Sequence, residues 1–149
     1  QLEMGDFIAL SYKPTDVIGD INRTPNEAIG DLKKTLEIFP SQKLAFFEIS
    51  WSTSDFVGGN DDDQAEFIQS SLTFFEENDS QIEFFTISRL FDKPKGNCIS
   101  QEVDVISGSG FQSNSFRLER IDEYNCNSGL IDKNNNEKLA WAAFKNNIP

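Results

Sequence analysis

Glu48 invites a chemical reading first. It lies in the stretch Leu44 to Ser54, LAFFEISWSTS, between Phe46-Phe47 and Ile49 with Trp51 close behind. An ionised carboxylate in an apolar strand is costly unless it is paired, solvated at a strand end, or used. The chain contains no histidine. That absence removes Ser-His-Asp and Cys-His catalysis, histidine-ligated zinc and an imidazole base together. Chemistry must rest on carboxylates, hydroxyls, Tyr, Lys or Arg. For Glu48 the bland alternative is an ion-paired strand-end acid, with Arg89 on the neighbouring strand as its partner.

The charge balance narrows the partners. With 13 basic and 25 acidic residues the net charge is −12, and the pI is near 4.3. This disfavours nucleic acid and anionic membranes, because phosphate binding needs clustered Lys and Arg. A neutral substrate such as a sugar fits. No run approaches the ~18 apolar residues of a membrane span, so a soluble chain is expected. No basic-then-apolar signal peptide opens it. The first residue is Gln1, not Met, so an upstream signal could have been removed. Cys98 and Cys126 lie 28 positions apart in polar sequence. A disulfide there is plausible outside the cytosol, which makes an extracellular or secreted location the expectation; two free thiols are the alternative. No cofactor is expected. Asp61-Asp62-Asp63 reads as helix capping rather than a calcium loop, whose ligands alternate. Gly108-Ser109-Gly110 is no phosphate loop, since no Lys-Ser/Thr follows in register.

The elements that position these groups alternate. At 149 residues, 38% hydrophobic and with 14 Phe, residues 1–149 form a single unit with a core. Asp6 to Tyr12 is an apolar run of strand length stopped by Lys13-Pro14. Thr24, Pro25 and Glu27 open a helix as N-cap, first residue and capping-box partner. Ile29, Leu32, Leu36 and Phe39 form its apolar face, and Pro40 ends it. Lys43 to Trp51 is a second strand, and its nearly continuous apolar character predicts cover on both faces. Ala65, Ile68, Leu72 and Phe75 mark the buried face of a second helix. Ile82 to Phe91 is a third strand. Residues 93–128 read as a long, irregular insertion with short Val- and Ile-bearing pieces at QEVDVIS and FRLERI. A last helix starts near Asn136, with Trp141 in the core. Strands alternating with helices predict an α/β fold with a parallel sheet.

Four stretches in this order resemble the last three strand–helix units of a (β/α)8-barrel glycoside hydrolase. They are DFIALSYKP, LAFFEISWSTS, IEFFTISRLFD and GLIDKNNNEKLAWAAF. The resemblance is to clan A of the retaining glycoside hydrolases, nearest to family 53 endo-β-1,4-galactanase-like proteins. It implies that Glu48, at the end of the seventh strand, is the nucleophile acting on a β-linked polysaccharide. Tyr12, Trp51 and Arg89 are then the candidate substrate-binding residues, Trp51 by offering a flat face to a sugar ring. The sequence departs from the pattern at Ser50, at Ile87 and at Lys13, which stands where a second aromatic is frequent. The clan's acid/base glutamate belongs to a fourth strand that precedes anything in this chain. Glu83, Asp55 and Asp92 are poor substitutes by position. The other reading is a catalytically silent barrel-derived module that binds carbohydrate or assembles. Either way, three barrel strands with open edges are expected to associate with a missing N-terminal part or with another copy.

Overall fold

The computed structural model describes residues 7–98 and 115–147. Its core is a parallel sheet of three strands in the order β1 (Phe7–Tyr12), β2 (Lys43–Ile49), β3 (Ile82–Ile87). Between them run α1 (Pro25–Ile38) and α2 (Asp61–Glu77), giving the predicted α/β alternation. A 3-10 turn at Asp55–Val57 precedes α2, and α3 (Ser115–Cys126) and α4 (Leu139–Asn146) follow β3.

Local hydrogen bonding explains where the helices begin. Thr24 Oγ1 accepts the Glu27 amide at 3.3 Å, while Glu27 Oε2 accepts the Thr24 amide at 2.8 Å. This reciprocal box satisfies two amides that lack intrahelical partners. Asn60 does the same for α2 by accepting the Asp63 amide at 2.8 Å, and Asp61–Asp63 complement its positive end. α4 starts three residues later than the sequence pattern predicts. Asp132 Oδ1 accepts the amides of Asn134 and Asn136, at 2.7 and 2.8 Å, and Asn135 takes a positive φ of 65°. That turn holds residues 132–136 out of the helix.

Leu32 and Leu36 of α1, Leu44, Phe46 and Ile49 of β2, Phe67, Ile68 and Phe74 of α2 and Ile82 of β3 form the core between sheet and helices. The α2 stripe is rotated from the expected one. Its most buried residues are Gln64, Phe67, Ile68, Ser71 and Phe74, whereas Ala65, Leu72 and Phe75 are only partly buried. Two polar residues in the deepest row disguise it as a weaker apolar pattern. Gln64 belongs there because its Nε2 donates to the Trp51 carbonyl at 2.7 Å and to the Gly129 carbonyl at 3.2 Å.

The other sheet face is open among the described residues, contrary to the expectation that β2 is covered on both. Phe47 is 52% exposed, and Phe7 and Phe84 meet edge to face over the central strand with centroids 5.5 Å apart. A continuous apolar run records a demand for burial on two faces; this chain meets one of them. Trp141 is likewise only half-buried, stacked on Phe144.

The insertion 93–128 is not irregular throughout, because α3 occupies its end. Its sequence, SFRLERIDEYNC, lacks an apolar stripe, and the helix is held by polar contacts and by a disulfide between Cys98 and Cys126. FRLERI is therefore helical. QEVDVIS and Gly108-Ser109-Gly110 lie outside the described residues. The bridge closes a loop that in the chain-entropy account contributes about 3.5 kcal/mol.

Candidate functional site

Glu48 stands at the C-terminal end of the central strand, and a register shift aims it. Leu10 pairs with Phe46, but Ser11 pairs with Glu48, so Phe47 is skipped. Strict alternation from buried Phe46 would send Glu48 into the helix-facing core. The extra residue turns it out, leaving its side chain 30% exposed, and returns Ile49 to the core. A one-residue irregularity that redirects a single side chain is a recurrent device next to active sites.

The partner of Glu48 is Lys13, not the Arg89 expected from the sequence. Lys13 Nζ lies 3.6 Å from Glu48 Oε1 and donates to Asn125 Oδ1 at 3.1 Å, and it sits 6.0 Å from the centre of the Tyr124 ring. Arg89 instead approaches Cys98 Sγ at 4.0 Å and lines an apolar groove of about 550 Å³ with Phe75, Phe85, Trp141 and Phe144. Lys13 follows Tyr12 at the end of β1, whose Ser11 pairs with Glu48, so it leaves the sheet beside that carboxylate.

α3 crosses that rim. Tyr124, fully buried, donates to the Ser50 carbonyl at 2.7 Å, two residues beyond Glu48. Burial pushes its phenol far above the ordinary value, so it stays a protonated donor. Arg120 grips Asp20 through both Nε and Nη2, at 2.5 and 2.7 Å. Ser54 Oγ donates to Glu123 at 3.3 Å, and the Thr53 amide to the Asn127 carbonyl at 3.0 Å. The helix thus ties together the loops that follow β1 and β2. Asp122 accepts the amides of Gly96 and Cys98, at 2.6 and 3.1 Å, which adds the segment after β3. Nothing in the sequence pattern pointed to Tyr124 or Asn125 beyond their position beside Cys126.

The remaining candidates separate from Glu48. Tyr12 points to the helix side, donating to Asp31 Oδ2 at 3.1 Å beside Phe67. Burial raises its phenol well above the usual value, and the Asp31 carboxylate adds to that. Trp51 is 1% exposed and packs on Phe67 with centroids 5.1 Å apart, so neither ring face is open to a sugar. Trp51 is a core residue rather than the sugar platform that the resemblance implies. Glu83 and Asp55 are exposed. Asp92 is engaged elsewhere: it pairs with Lys138 at 2.7 Å, both side chains 8% exposed, and its Oδ1 accepts the Gly129 amide at 2.7 Å. Lys138 also donates to Thr53 Oγ1 and the Asn127 carbonyl, at 2.9 and 3.2 Å. That hub leaves Asp92 structural.

Among the described residues the site therefore brings together one carboxylate at a strand end, one ammonium against it, and a clamped helix behind both. One carboxylate can attack or accept a proton; the second that glycoside hydrolysis requires is not in this group among the described residues. No family model matches the chain, and no curated protein sequence does. Among solved structures it resembles a GH2 β-galacturonidase from Eisenbergiella tayi, seen bound to galacturonate and, in a second structure, to glycerol. Each comparison gives a TM-score of 0.51 at 15% identity over 93% of this chain. The chain spans 23% of that protein's length, and what it shares with that segment is the fold.

Proposed function

We propose that this chain supplies the nucleophile-bearing part of a retaining glycoside hydrolase, built as the last three strand–helix units of a clan A barrel. The observation that carries the reading is the placement of Glu48, turned out by the skipped Phe47 at the C-terminal end of the central parallel strand. In barrels that end hosts the chemistry. Glu48 then attacks the anomeric carbon of a β-linked sugar as the glycosidic C–O bond breaks. An acid from outside this chain protonates the leaving oxygen, and water afterwards hydrolyses the glycosyl ester. The likeness to a β-galacturonidase makes uronic-acid glycosides one class to assay alongside neutral β-glycans. Incubation with a 2-deoxy-2-fluoro-β-glycoside carrying a dinitrophenyl leaving group tests the role directly, since that group departs without protonation. The expected result is a peptide containing Glu48 that carries the added glycosyl mass. A label on any other carboxylate overturns the assignment.

A second reading, a silent module that assembles or binds glycan, is favoured by the Glu48–Lys13 ion pair and by the open sheet face with Phe7, Phe47 and Phe84. Among the described residues β1 and β3 each pair on one side only, and such edges recruit further strands. Sedimentation of the isolated chain at micromolar concentration is expected to give species heavier than 16.8 kDa. A strictly monomeric boundary with protected edge amides removes that expectation.

A further inference from the structure

Lys13 is set with more care than a rim lysine needs. The ring of Pro14, which is buried, biases the residue before it to an extended backbone. The Thr15 amide donates to the Lys13 carbonyl at 2.8 Å, and the Asn22 amide to the Pro14 carbonyl at 3.2 Å. The side chain therefore departs from a fixed point. At its far end the receiving amide is also fixed. Asn125 is 4% exposed, its carbonyl accepts Ser128 Oγ at 3.1 Å, and its neighbour Cys126 is bonded to Cys98. A free lysine has much rotamer entropy to lose. Here that loss is met on folding, before any substrate arrives.

We infer that Lys13, held by Asn125, is a positioning residue that fixes the Glu48 carboxylate for attack. The inference rests on the nucleophile reading of Glu48. The ammonium lies against Oε1, which leaves Oε2 as the oxygen that forms the bond to the anomeric carbon while the leaving group takes the electrons of the broken C–O bond. Among the described residues, α3 also brings Tyr124 to this pair, and its hydroxyl is spent on the Ser50 carbonyl, so it does not compete for the carboxylate. A misplacement of an attacking group by about 1 Å costs on the order of 100-fold in rate.

The test uses Lys13→Met, Lys13→Arg, Asn125→Leu and the Lys13→Met/Asn125→Leu pair in the protein that shows hydrolysis. Lys13→Met is expected to lower kcat about 10- to 100-fold with KM within about threefold. Lys13→Arg should restore most of the rate, and Asn125→Leu should add little once Lys13 is gone. A kcat within twofold of the parent, a rise in KM alone, or fully multiplicative effects overturns the inference. Loss of activity in Glu48→Gln together with an intact Lys13→Met sinks the positioning role only; an active Glu48→Gln sinks the nucleophile reading. For a chain that hydrolyses nothing, side-chain NMR of ¹³C-labelled glutamate reads the same point. Glu48 is expected to gain rotamer averaging in Lys13→Met and to lose it again in Lys13→Arg. An unchanged Glu48 signal overturns the inference.

Discussion

Glu48→Gln is expected to reduce turnover of an activated β-glycoside by a factor on the order of 10⁴ to 10⁶, the range that loss of a covalent nucleophile produces. The substitution keeps shape and removes the charge that attacks. Its effect on stability is expected to be small. The Glu48–Lys13 contact is long, at 3.6 Å, and both side chains are partly exposed, and such pairs contribute roughly 0–1 kcal/mol. The contrast between a large kinetic loss and a minor shift in thermal midpoint separates a reacting carboxylate from a structural one. Glu48→Ala supplies a further check. Added azide is expected to rescue cleavage and yield the α-glycosyl azide, because the anion enters on the face that the carboxylate occupied. Equal losses of rate and of folded protein, without azide rescue, would assign Glu48 to structure.

Lys138→Met is expected to be the most destabilising single change near the rim, at about 3–5 kcal/mol near neutral pH. It leaves Asp92 buried without its counter-ion while preserving the packing of the stem. Asp92 already feels this tension: burial pushes its carboxyl above the ordinary range, and only then do Lys138 and the Gly129 amide pull it back. A carboxyl raised in the folded state favours folding below the unfolded value of about 3.9, and that contribution is lost as pH rises through the folded value. Removing the lysine raises the carboxyl further. The deficit of Lys138→Met should therefore shrink as pH falls toward 4 and reach its full size at pH 7. Urea unfolding at the two pH values reads this difference. Asp92→Asn placed in the Lys138→Met background should recover part of the loss, because the amide oxygen can still accept from Gly129. A deficit of equal size at both pH values would mean that packing, not charge, is at stake.

The same hub shows how far local sequence reaches. Lys138 joins Thr53, Asp92 and Asn127, which lie on three different loops, and no spacing rule relates them. Asp92 reads as a poor substitute acid by position, but its counter-ion is invisible in the sequence. Glu48 behaves alike. Its exposure depends on the skipped Phe47, a register event between two strands, and the lysine that meets it is fixed by an asparagine 112 positions further on. Periodicity places an apolar residue on a face; it does not say which residue a strand will skip.

What the sequence determined by itself is what short-range geometry controls. Thr24-Pro25-Asn26-Glu27 contains both partners of its capping box, so the start of α1 follows from four residues. Asp61-Asp62-Asp63 mark the start of α2 by complementing its positive end, and apolar runs separated by helical stretches dictate parallel α/β order. The tertiary structure alone decided the rest: that Trp51 is core, that α3 exists within a polar insertion, that Gln64 lies in the deepest row of α2 with its amide on two distant carbonyls, and that Lys13 rather than Arg89 faces Glu48. A polar side chain can be buried wherever a distant backbone group satisfies it, and an indole turns inward wherever a neighbouring ring fills the space beside it. Those partners are chosen by how the elements pack, and packing is not written in any one stretch of the chain.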